Sequence, residues 1–184
     1  MQIDVVQASQ RGDLDAFEAI VIGKAERLFT IARLILRDAG RSEDAVQEAL
    51  TQAWRNLPSL RDPSRLDGWL YRLVVNACND VGRADRKFTA EIRVIREEPV
   101  TVDDAARVAD RDQLERGFQR LRLEQRAPIV LHYYLGLSVP EIAESLGIPE
   151  GTAKSRLHYA TEALRAAIEA DDRGRSAAIS GRTA

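Results

Sequence analysis

Apolar residues recur every three or four positions along residues 45–57, and this spacing fixes the type of secondary structure. A period of 3.6 residues places such positions on one face of an α-helix, whereas a strand would alternate them. Similar stripes run through residues 14–35, 66–81 and 139–164, so the sequence predicts an all-α fold. The stripe in 45–57 consists of Ala45, Val46, Ala49, Leu50, Ala53, Trp54 and Leu57.

Composition agrees with a helical protein and excludes several other classes. Apolar residues make up 45% of the 184 residues but aromatic residues only 5%, which favours helices over sheets. No apolar run approaches the roughly 20 residues of a membrane span, and the N-terminus lacks the layout of a signal peptide. Cys78 is the single cysteine, which excludes an internal disulfide and a cysteine-rich metal site. We expect a cytoplasmic protein.

The charge distribution divides the chain into two neutral blocks joined by an acidic segment. Residues 88–117 carry 5 basic and 8 acidic side chains, whereas the flanking blocks are balanced. Periodicity fades over the same stretch, which indicates a linker. We therefore predict two small helical domains, residues 1–87 and 111–170, joined by an acidic linker over 88–110. The polar, small-residue-rich tail 171–184 is predicted to be disordered.

The first block contains several helix start and stop signals. Asp13 is predicted as the N-cap of the first helix, and "RDAGR" at 37–41 ends it. Ser42 is predicted to cap the second helix, with two acids in its first turn. The segment 56–68 has two prolines and is predicted to be a loop, after which Asp67 caps the third helix. Trp54 and Trp69 are interpreted as core residues of this block.

The second block is predicted to contain a helix-turn-helix. Pro128 is tolerable only near the start of a helix, so the helix before the motif begins between Leu123 and Arg126. Ser138 and Glu141 fit a capping box at the start of the next helix, and Leu137 with Ile142 fits a hydrophobic staple. That helix ends at Gly147, and the turn "GIP" leads into a second helix that starts near Glu150 and ends near Glu169.

The faces of this second helix can be assigned from the turn of about 100° per residue. Ala153, Leu157, Ala160 and Leu164 form the buried stripe. Small and hydrogen-bonding side chains lie opposite or on the flanks, where they can contact base edges or phosphates, and Arg156 lies nearer the buried edge. The predicted DNA-binding residues are Gly151, Thr152, Lys154, Ser155, Arg156, His158 and Tyr159.

A second polar stripe follows the helix after Asp67. Its members recur at steps of four and three residues, so they share one face. Cations on such a face would suit a track for DNA phosphates, and a merely solvated helix face is an equal alternative. The stripe consists of Arg72, Asn76, Asn79, Arg83 and Arg86.

No catalytic arrangement emerges from the sequence. His132, His158 and Cys78 are scattered over the helices without orienting partners, and His132 is interpreted as a packing or capping group. A glycine-rich phosphate loop, a zinc-binding H-E-x-x-H and an acid dyad are all missing from the sequence. We therefore expect neither an enzyme nor a cofactor, metal or small-molecule substrate.

Three segments together resemble the extracytoplasmic-function (ECF) type of bacterial RNA polymerase sigma factor. "LSVPEIAESLGIPEGTAKSRLHYATEAL" is similar to the family's second DNA-binding region. "SEDAVQEALTQAW" and "LDGWLYRLVVNACNDVGRADRK" are similar to its other conserved region. The resemblance implies a factor that binds core RNA polymerase and directs promoter-specific initiation. Its first domain would help melt the −10 element, and helix 150–169 would read the −35 element as duplex.

The resemblance also implies roles for residues at matched positions. The loop over 56–66 would capture a flipped base of the non-template strand, and the stripe after Asp67 would follow that strand. An exposed face of the helix over 42–57 would bind the polymerase clamp. The implied −10 residues are Arg61, Arg65, Arg72, Asn76, Asn79, Arg83 and Lys87, and the implied polymerase-binding residues are Asp44, Gln47, Glu48 and Thr51.

The family implies core polymerase, promoter DNA and an anti-sigma factor as partners, without insertion into a membrane. Tyr159 stands where many members carry arginine, and Glu150 subtracts charge beside the groove. We therefore predict weak DNA binding by the free chain that becomes specific only with polymerase core. The alternative is a stand-alone helix-turn-helix regulator that binds its operator as a dimer without being a polymerase subunit.

Overall fold

The computed structural model describes residues 2–88 and 114–180, with side chains described over 3–83 and 114–170. These residues form helices and turns and contain no strand, which confirms the predicted all-α fold. The predicted linker over 88–110 lies outside the described residues except for Phe88. The helices are α1 (Gln2–Gln10), α2 (Leu14–Leu36), α3 (Ala39–Asn56), α4 (Leu66–Phe88), α5 (114–119), α6 (Leu123–Ile129), α7 (Val139–Leu146) and α8 (Glu150–Ser180).

Helices α2, α3 and α4 pack against one another and form the N-terminal half. Leu28, Ile31 and Ile35 of α2 are fully buried against Val74 and Val75 of α4 in one apolar core. Burying such side chains stabilises the fold by about 1.5–3 kcal/mol each. This core fixes which faces of α3 and α4 remain available for binding.

Between α2 and α3, the residue that caps the start of α3 differs from the predicted one. Asp13 caps α2 as predicted, and α2 ends at Arg37, which adopts the left-handed conformation at φ 61°. The N-cap of α3 is Asp38, whose carboxylate accepts a hydrogen bond of 2.8 Å from the Arg41 N–H. Ser42 is therefore not the cap. It lies buried inside α3, where its hydroxyl donates to the Asp38 carbonyl.

Two details of the helix starts were not predicted correctly. The chain before Gly12 forms α1, whose Val6 is fully buried and whose Gln10 donates 2.7 Å to the Leu60 carbonyl. Asp67 lies in the first turn of α4 and is not its N-cap, because α4 already begins at Leu66. A short 3₁₀ turn capped by Asp62 leads directly into α4 instead.

Pro128 shapes the helix before the helix-turn-helix. Helix α6 begins at Leu123, as predicted, and continues past the proline to Ile129. Because proline has no N–H, it removes one hydrogen bond of the helical ladder. The wider π turn Val130–Tyr134 follows directly, and the chain leaves it through Gly136 at φ 71°.

The helix-turn-helix has the predicted start and stop. The N–H of Ser138 donates 2.8 Å to the Glu141 carboxylate, and Gly147 ends α7 with φ 63°. Helix α8 begins at Glu150 but continues to Ser180, past the predicted end near Glu169. An existing helix extends without a new nucleation cost, and alanine and arginine favour that extension. The predicted disordered tail is therefore helical over 171–180, and 181–184 lie outside the described residues.

The two halves of the chain are in direct contact. Leu131, Ile142 and Ala153 of the C-terminal half belong to the same buried cluster as the core of the N-terminal half. Arg37 pairs with Glu115, and Arg65 pairs with Glu144, so ion pairs also join the halves. Among the described helices, none is both long and apolar enough to cross a membrane.

Candidate functional site

The first turns of α8 present a continuous polar face. Ala153 and Ala160 are fully buried beneath the helix, in agreement with the stripe predicted from the sequence. The opposite side exposes the positions predicted to contact DNA, and only Thr152 among them is half-buried. The exposed positions are Gly151, Lys154, Ser155, Arg156, His158 and Tyr159.

The side chains of this α8 face are largely unengaged by the rest of the protein. The Ser155 hydroxyl donates a hydrogen bond of 3.0 Å to the Thr152 carbonyl, and the hydroxyl oxygen can still accept one from a ligand. Tyr159 is 68% exposed, and its ring centroid lies 5.5 Å from that of His158. No atom lies within 4 Å of a Cβ built at Gly151, so the helix start is open to close approach. Such a face can enter a major groove.

Arg156 has a different environment from the other α8 residues. It is exposed, and it lines a cleft whose opposite wall is α4. Asn76, Asn79 and Arg83 line the same cleft, together with Glu124 of α6. The cleft thus brings one predicted −35 residue next to three predicted −10 residues.

The polar stripe of α4 lies on the side that faces the C-terminal half. Arg72 and Arg83 are exposed, whereas Asn76 and Asn79 are half-buried. Arg83 pairs with Asp80, which reduces the positive charge offered to phosphates. Lys87 lies in the last turn of α4, and its side chain is outside the described part of the structure.

The loop before α4 forms one wall of a charged cleft between the halves. Arg61, Arg65 and Arg72 line it beside Glu141 and Glu144. Arg61 is exposed, and Arg65 pairs with Glu144 although both side chains remain more than half exposed. Hydrogen bonds from Ser138 hold the pKa of Glu141 below its usual range, so this carboxylate stays negative. Cations and carboxylates from opposite halves therefore face each other across the cleft.

The predicted polymerase-binding residues form an exposed strip on α3. Asp44, Gln47 and Glu48 are exposed, and Thr51 is half-buried. The Thr51 hydroxyl donates 2.8 Å to the Gln47 carbonyl, and Glu48 accepts 2.7 Å from the Gln52 amide. The strip offers acceptor groups and one negative patch to a partner.

An apolar groove beside this strip was missed in the sequence analysis. Trp54 was predicted to be a core residue, and this prediction is wrong. Its side chain is 36% exposed, and its ring centroid lies 5.0 Å from that of Phe17. The prediction failed because α2 carries apolar residues on two sides. One side packs into the core, and Trp54 packs against the other, outer side. This outer stripe could have indicated the groove. The groove is lined by Phe17, Val21, Ala25, Phe29, Val46, Leu50 and Trp54.

Cys78 and His132, which carry reactive side chains, both lie in packed or hydrogen-bonded positions. Cys78 is fully buried, and burial raises the pKa of its thiol to about 12. The Nδ1 atom of His132 lies 2.8 Å from the Leu137 carbonyl, across the turn that leads into α7. Within the described ranges, no group of three metal-ligating side chains occurs.

Comparisons with known proteins agree with this arrangement. Residues 24–88 match the family model "Sigma-70 region 2", and residues 111–164 match "Sigma-70, region 4". The first match begins within α2 and ends with α4, and the second spans α5, α6 and α7 and ends within α8. A chain with region 2 followed by region 4 has the two conserved parts of a sigma-70-type transcription initiation factor.

Individual relatives indicate which group of sigma factors this chain is similar to. The ECF RNA polymerase sigma factor SigM of Mycobacterium tuberculosis is 36% identical over 83% of this chain and 77% of its own length. SigL of the same species is 35% identical over 77% of this chain and 82% of its own length. The solved structure of CnrH in complex with the cytosolic domain of CnrY matches with a TM-score of 0.64 and 27% identity. The match covers 92% of this chain and 98% of the CnrH chain.

The chain belongs to the family of ECF RNA polymerase sigma factors. It is therefore a partner of core RNA polymerase and of promoter DNA, and a factor of transcription initiation rather than an enzyme. The resemblance drawn from the sequence is confirmed. The alternative of a stand-alone dimeric regulator is not favoured, because the region 2 match accounts for the N-terminal half.

Proposed function

We propose that α8 reads the −35 element as duplex with Gly151, Lys154, Ser155, His158 and Tyr159. The exposed polar face of α8 supports this most directly, because its buried side is committed to the core while its outer side is unengaged. Lys154 contacts a phosphate, and Ser155 and His158 reach base edges. Thr152 and Arg156 contact the backbone at the flanks. We infer that this contact needs no bound cofactor and that the protein acts in the cytoplasm, where the promoter is.

The N-terminal half engages the melted −10 element. Arg61 and Arg65 of the loop over 56–66 hold the phosphates around a flipped base of the non-template strand. The α4 stripe then follows the strand towards Lys87. The spacing of the stripe supports this role, because a cation or amide recurs once per helical turn. Its members are Arg72, Asn76, Asn79, Arg83 and Lys87.

Core polymerase binds the α3 strip and the adjacent apolar groove. Asp44, Gln47 and Glu48 supply acceptors at the rim, Thr51 borders the groove, and Trp54 supplies apolar area. A large exposed aromatic beside polar residues is typical of a protein–protein hot spot. The groove between two helices suits an amphipathic helix of the partner, with basic residues along its edges.

An anti-sigma factor is a further partner. CnrH was solved with the cytosolic domain of CnrY, and RpoE of Bartonella quintana with the anti-sigma factor NepR. The RpoE structure has a TM-score of 0.69 at 24% identity and covers 86% of this chain and 99% of that chain. A pull-down with the immobilised chain, followed by mass spectrometry, tests for such a partner. Recovery of core polymerase alone would contradict it.

Run-off transcription with purified core polymerase tests the proposed function. The holoenzyme first selects promoters from a genomic fragment library, and the selected DNA then serves as the template. His158→Ala should lower −35-dependent transcription by about 5- to 150-fold, which corresponds to about 1–3 kcal/mol for a base contact, and Lys154→Ala, which removes a phosphate contact, should weaken binding about equally on all promoter sequences. Arg165→Ala is the matched control, because Arg165 is exposed further along α8 and pairs with Glu162.

Two outcomes would contradict the proposed function. No product from core plus chain, together with tight operator binding by a dimer of the chain alone, would indicate a stand-alone regulator. Equal losses in the Lys154→Ala and Arg165→Ala variants would show that the first turns of α8 have no special role. For the polymerase surface, Trp54→Ala should weaken binding to core at least tenfold at a temperature where circular dichroism shows the variant to be folded, and it should also lower the unfolding midpoint because the packing of Trp54 against Phe17 is lost.

A further inference from the structure

Helix α1 packs against the loop over 56–66, which is proposed to capture the flipped −10 base. It contacts both short 3₁₀ turns of that loop, Leu57–Ser59 and Pro63–Arg65. It also packs against α2, and its Val6 is fully buried in the core of the N-terminal half, so its position does not depend on the loop alone. The match to region 2 begins at residue 24, and α1 therefore lies outside that match.

The side-chain amide of Gln10 joins α1 to the middle of the loop. Its Nε2 atom donates 3.1 Å to the Leu57 carbonyl and 2.7 Å to the Leu60 carbonyl. An amide group has two hydrogens, so both donors of Gln10 are used in these two bonds. Gln10 is half-buried, and it lies 47 and 50 residues from its two partners along the chain. The bonds therefore connect two segments that local structure alone would not bring together.

The bond to Leu60 fixes the backbone from which Arg61 projects. The Leu60 carbonyl and the Arg61 N–H belong to one planar peptide group, so a bond that orients the carbonyl also orients the start of Arg61. Leu60 has an extended backbone between the two 3₁₀ turns, with φ −71° and ψ 102°. Rotation about ψ of Leu60 would turn its carbonyl away from Gln10 and would redirect the exposed Arg61. Gln10 thus holds the torsion that aims this arginine.

The parts of the loop on either side are held by other contacts. Leu57 and Leu66 are fully buried and anchor its two ends. Asp62 accepts 3.0 Å from the Ser64 N–H and 2.6 Å from the Ser64 hydroxyl, which closes the second turn. The stretch between these anchors is restrained from α1.

We propose that Gln10 is a positioning residue for −10 recognition, which holds the loop over 56–66 in the conformation that captures the flipped base. It acts through the backbone of Leu60 and Arg61 and not through a contact with DNA. A loop already held in its binding conformation loses less conformational entropy when the correct base enters, whereas a wrong base does not fit that conformation. Gln10 therefore contributes to the discrimination between bases. This inference rests on the proposed function of the loop.

The Gln10→Met variant tests this role, because it removes both donors and keeps a flexible side chain of similar size. Gln7→Met is the matched control, since Gln7 is exposed on the same helix. Run-off transcription with core polymerase compares promoters that share one −35 element and differ at single −10 positions. Gln10→Met should lower the ratio of product between the preferred and the disfavoured base about 2- to 10-fold, as the loss of one neutral hydrogen bond predicts. Gln7→Met should leave that ratio unchanged.

Two further measurements separate positioning from a general loss of structure. Circular dichroism establishes that each variant is folded at the assay temperature, and binding of the holoenzyme to −35 duplex should be the same for Gln10→Met as for the wild type. Gln10→Lys keeps donors at this position, because an ammonium group has three hydrogens. It should keep the product ratio within about twofold of the wild type, since it can still bond the loop carbonyls.

The outcomes distinguish the role of Gln10 from the function of the loop. A product ratio that is unchanged in folded Gln10→Met would overturn the proposal. Equal losses in Gln10→Met and Gln10→Lys would also overturn it, because the donors would then be irrelevant. If the wild-type holoenzyme itself shows no preference at any −10 position, the proposed function of the loop is refuted, and the inference about Gln10 with it.

Discussion

Replacing Glu115 with glutamine removes the charge that balances a buried arginine. The side chain of Arg37 is only 3% exposed, whereas that of Glu115 is 31% exposed. Removing one partner of a fully buried pair costs about 3–5 kcal/mol, because the other charge is left uncompensated. Since Glu115 is one-third exposed, water can replace part of the lost interaction. We expect Glu115→Gln to lower the free energy of unfolding by about 1.5–3 kcal/mol.

Glu144→Gln provides the matched comparison, because it breaks a more exposed ion pair between the halves. Arg65 and Glu144 are 59% and 53% exposed, and exposed pairs contribute about 0–1 kcal/mol. The two variants remove the same carboxylate charge from the C-terminal half, so the difference between them isolates the effect of burial. Glu115→Gln should be the more destabilising by at least about 1 kcal/mol.

Urea unfolding followed by circular dichroism at 222 nm measures both effects. A double-mutant cycle with Arg37→Met gives the coupling energy of the buried pair, since methionine fills similar space without a charge. The coupling should exceed about 1 kcal/mol and should change little with added salt, because buried charges are weakly screened. Equal destabilisation by Glu115→Gln and Glu144→Gln, or a coupling energy near zero, would refute the burial argument.

Three further predictions concern single sites. Tyr159→Arg should tighten binding of the holoenzyme to −35 duplex and steepen its salt dependence by about one phosphate contact, measured by filter binding from 50 to 300 mM salt. Cys78 should not react with iodoacetamide at pH 8 until urea unfolds the chain, since burial raises its pKa to about 12 and only the thiolate reacts; mass spectrometry reports the adduct. The lowered pKa of Glu141 means that its carboxylate stabilises the fold above the usual carboxyl pKa, and that this contribution is lost as the pH falls through the lowered value. Glu141→Gln should therefore lower the urea midpoint at pH 7, and this effect should shrink as the pH falls below the usual carboxyl pKa.

The helix-turn-helix could be predicted because its signals are local. Ser138 and Glu141 lie three residues apart and Gly147 follows the last apolar position, so neighbouring residues alone determine where α7 begins and ends. The cap of α3 was harder, because Asp38 and Ser42 are both good N-cap residues. Asp38 prevails because its carboxylate reaches the Arg41 N–H, and Ser42 can then be buried within the helix.

Contacts between distant segments could not be predicted in this way. Arg37 and Glu115 are 78 residues apart, and nothing in the sequence near either residue indicates its partner. Trp54 has the spacing of a core residue, and only the second apolar stripe on α2 explains why it lies at a groove. The residues proposed to contact DNA could be assigned from the periodicity of their own helix. The helix face that packs against the other half of the chain could not, because it depends on the tertiary packing.

The junction between the halves has an apolar part and a polar rim. Leu131 and Ile142 of the C-terminal half are fully buried in the same cluster as Val74 and Val75 of α4. Asn76 and Asn79 on the outer side of α4 are polar and only half-buried. Exposing the apolar part to water would be costly, whereas the amides of the rim can exchange their surroundings for hydrogen bonds to water or to another polar partner. The outer side of α4 can therefore offer its polar groups to a ligand without any loss from the apolar core beneath it.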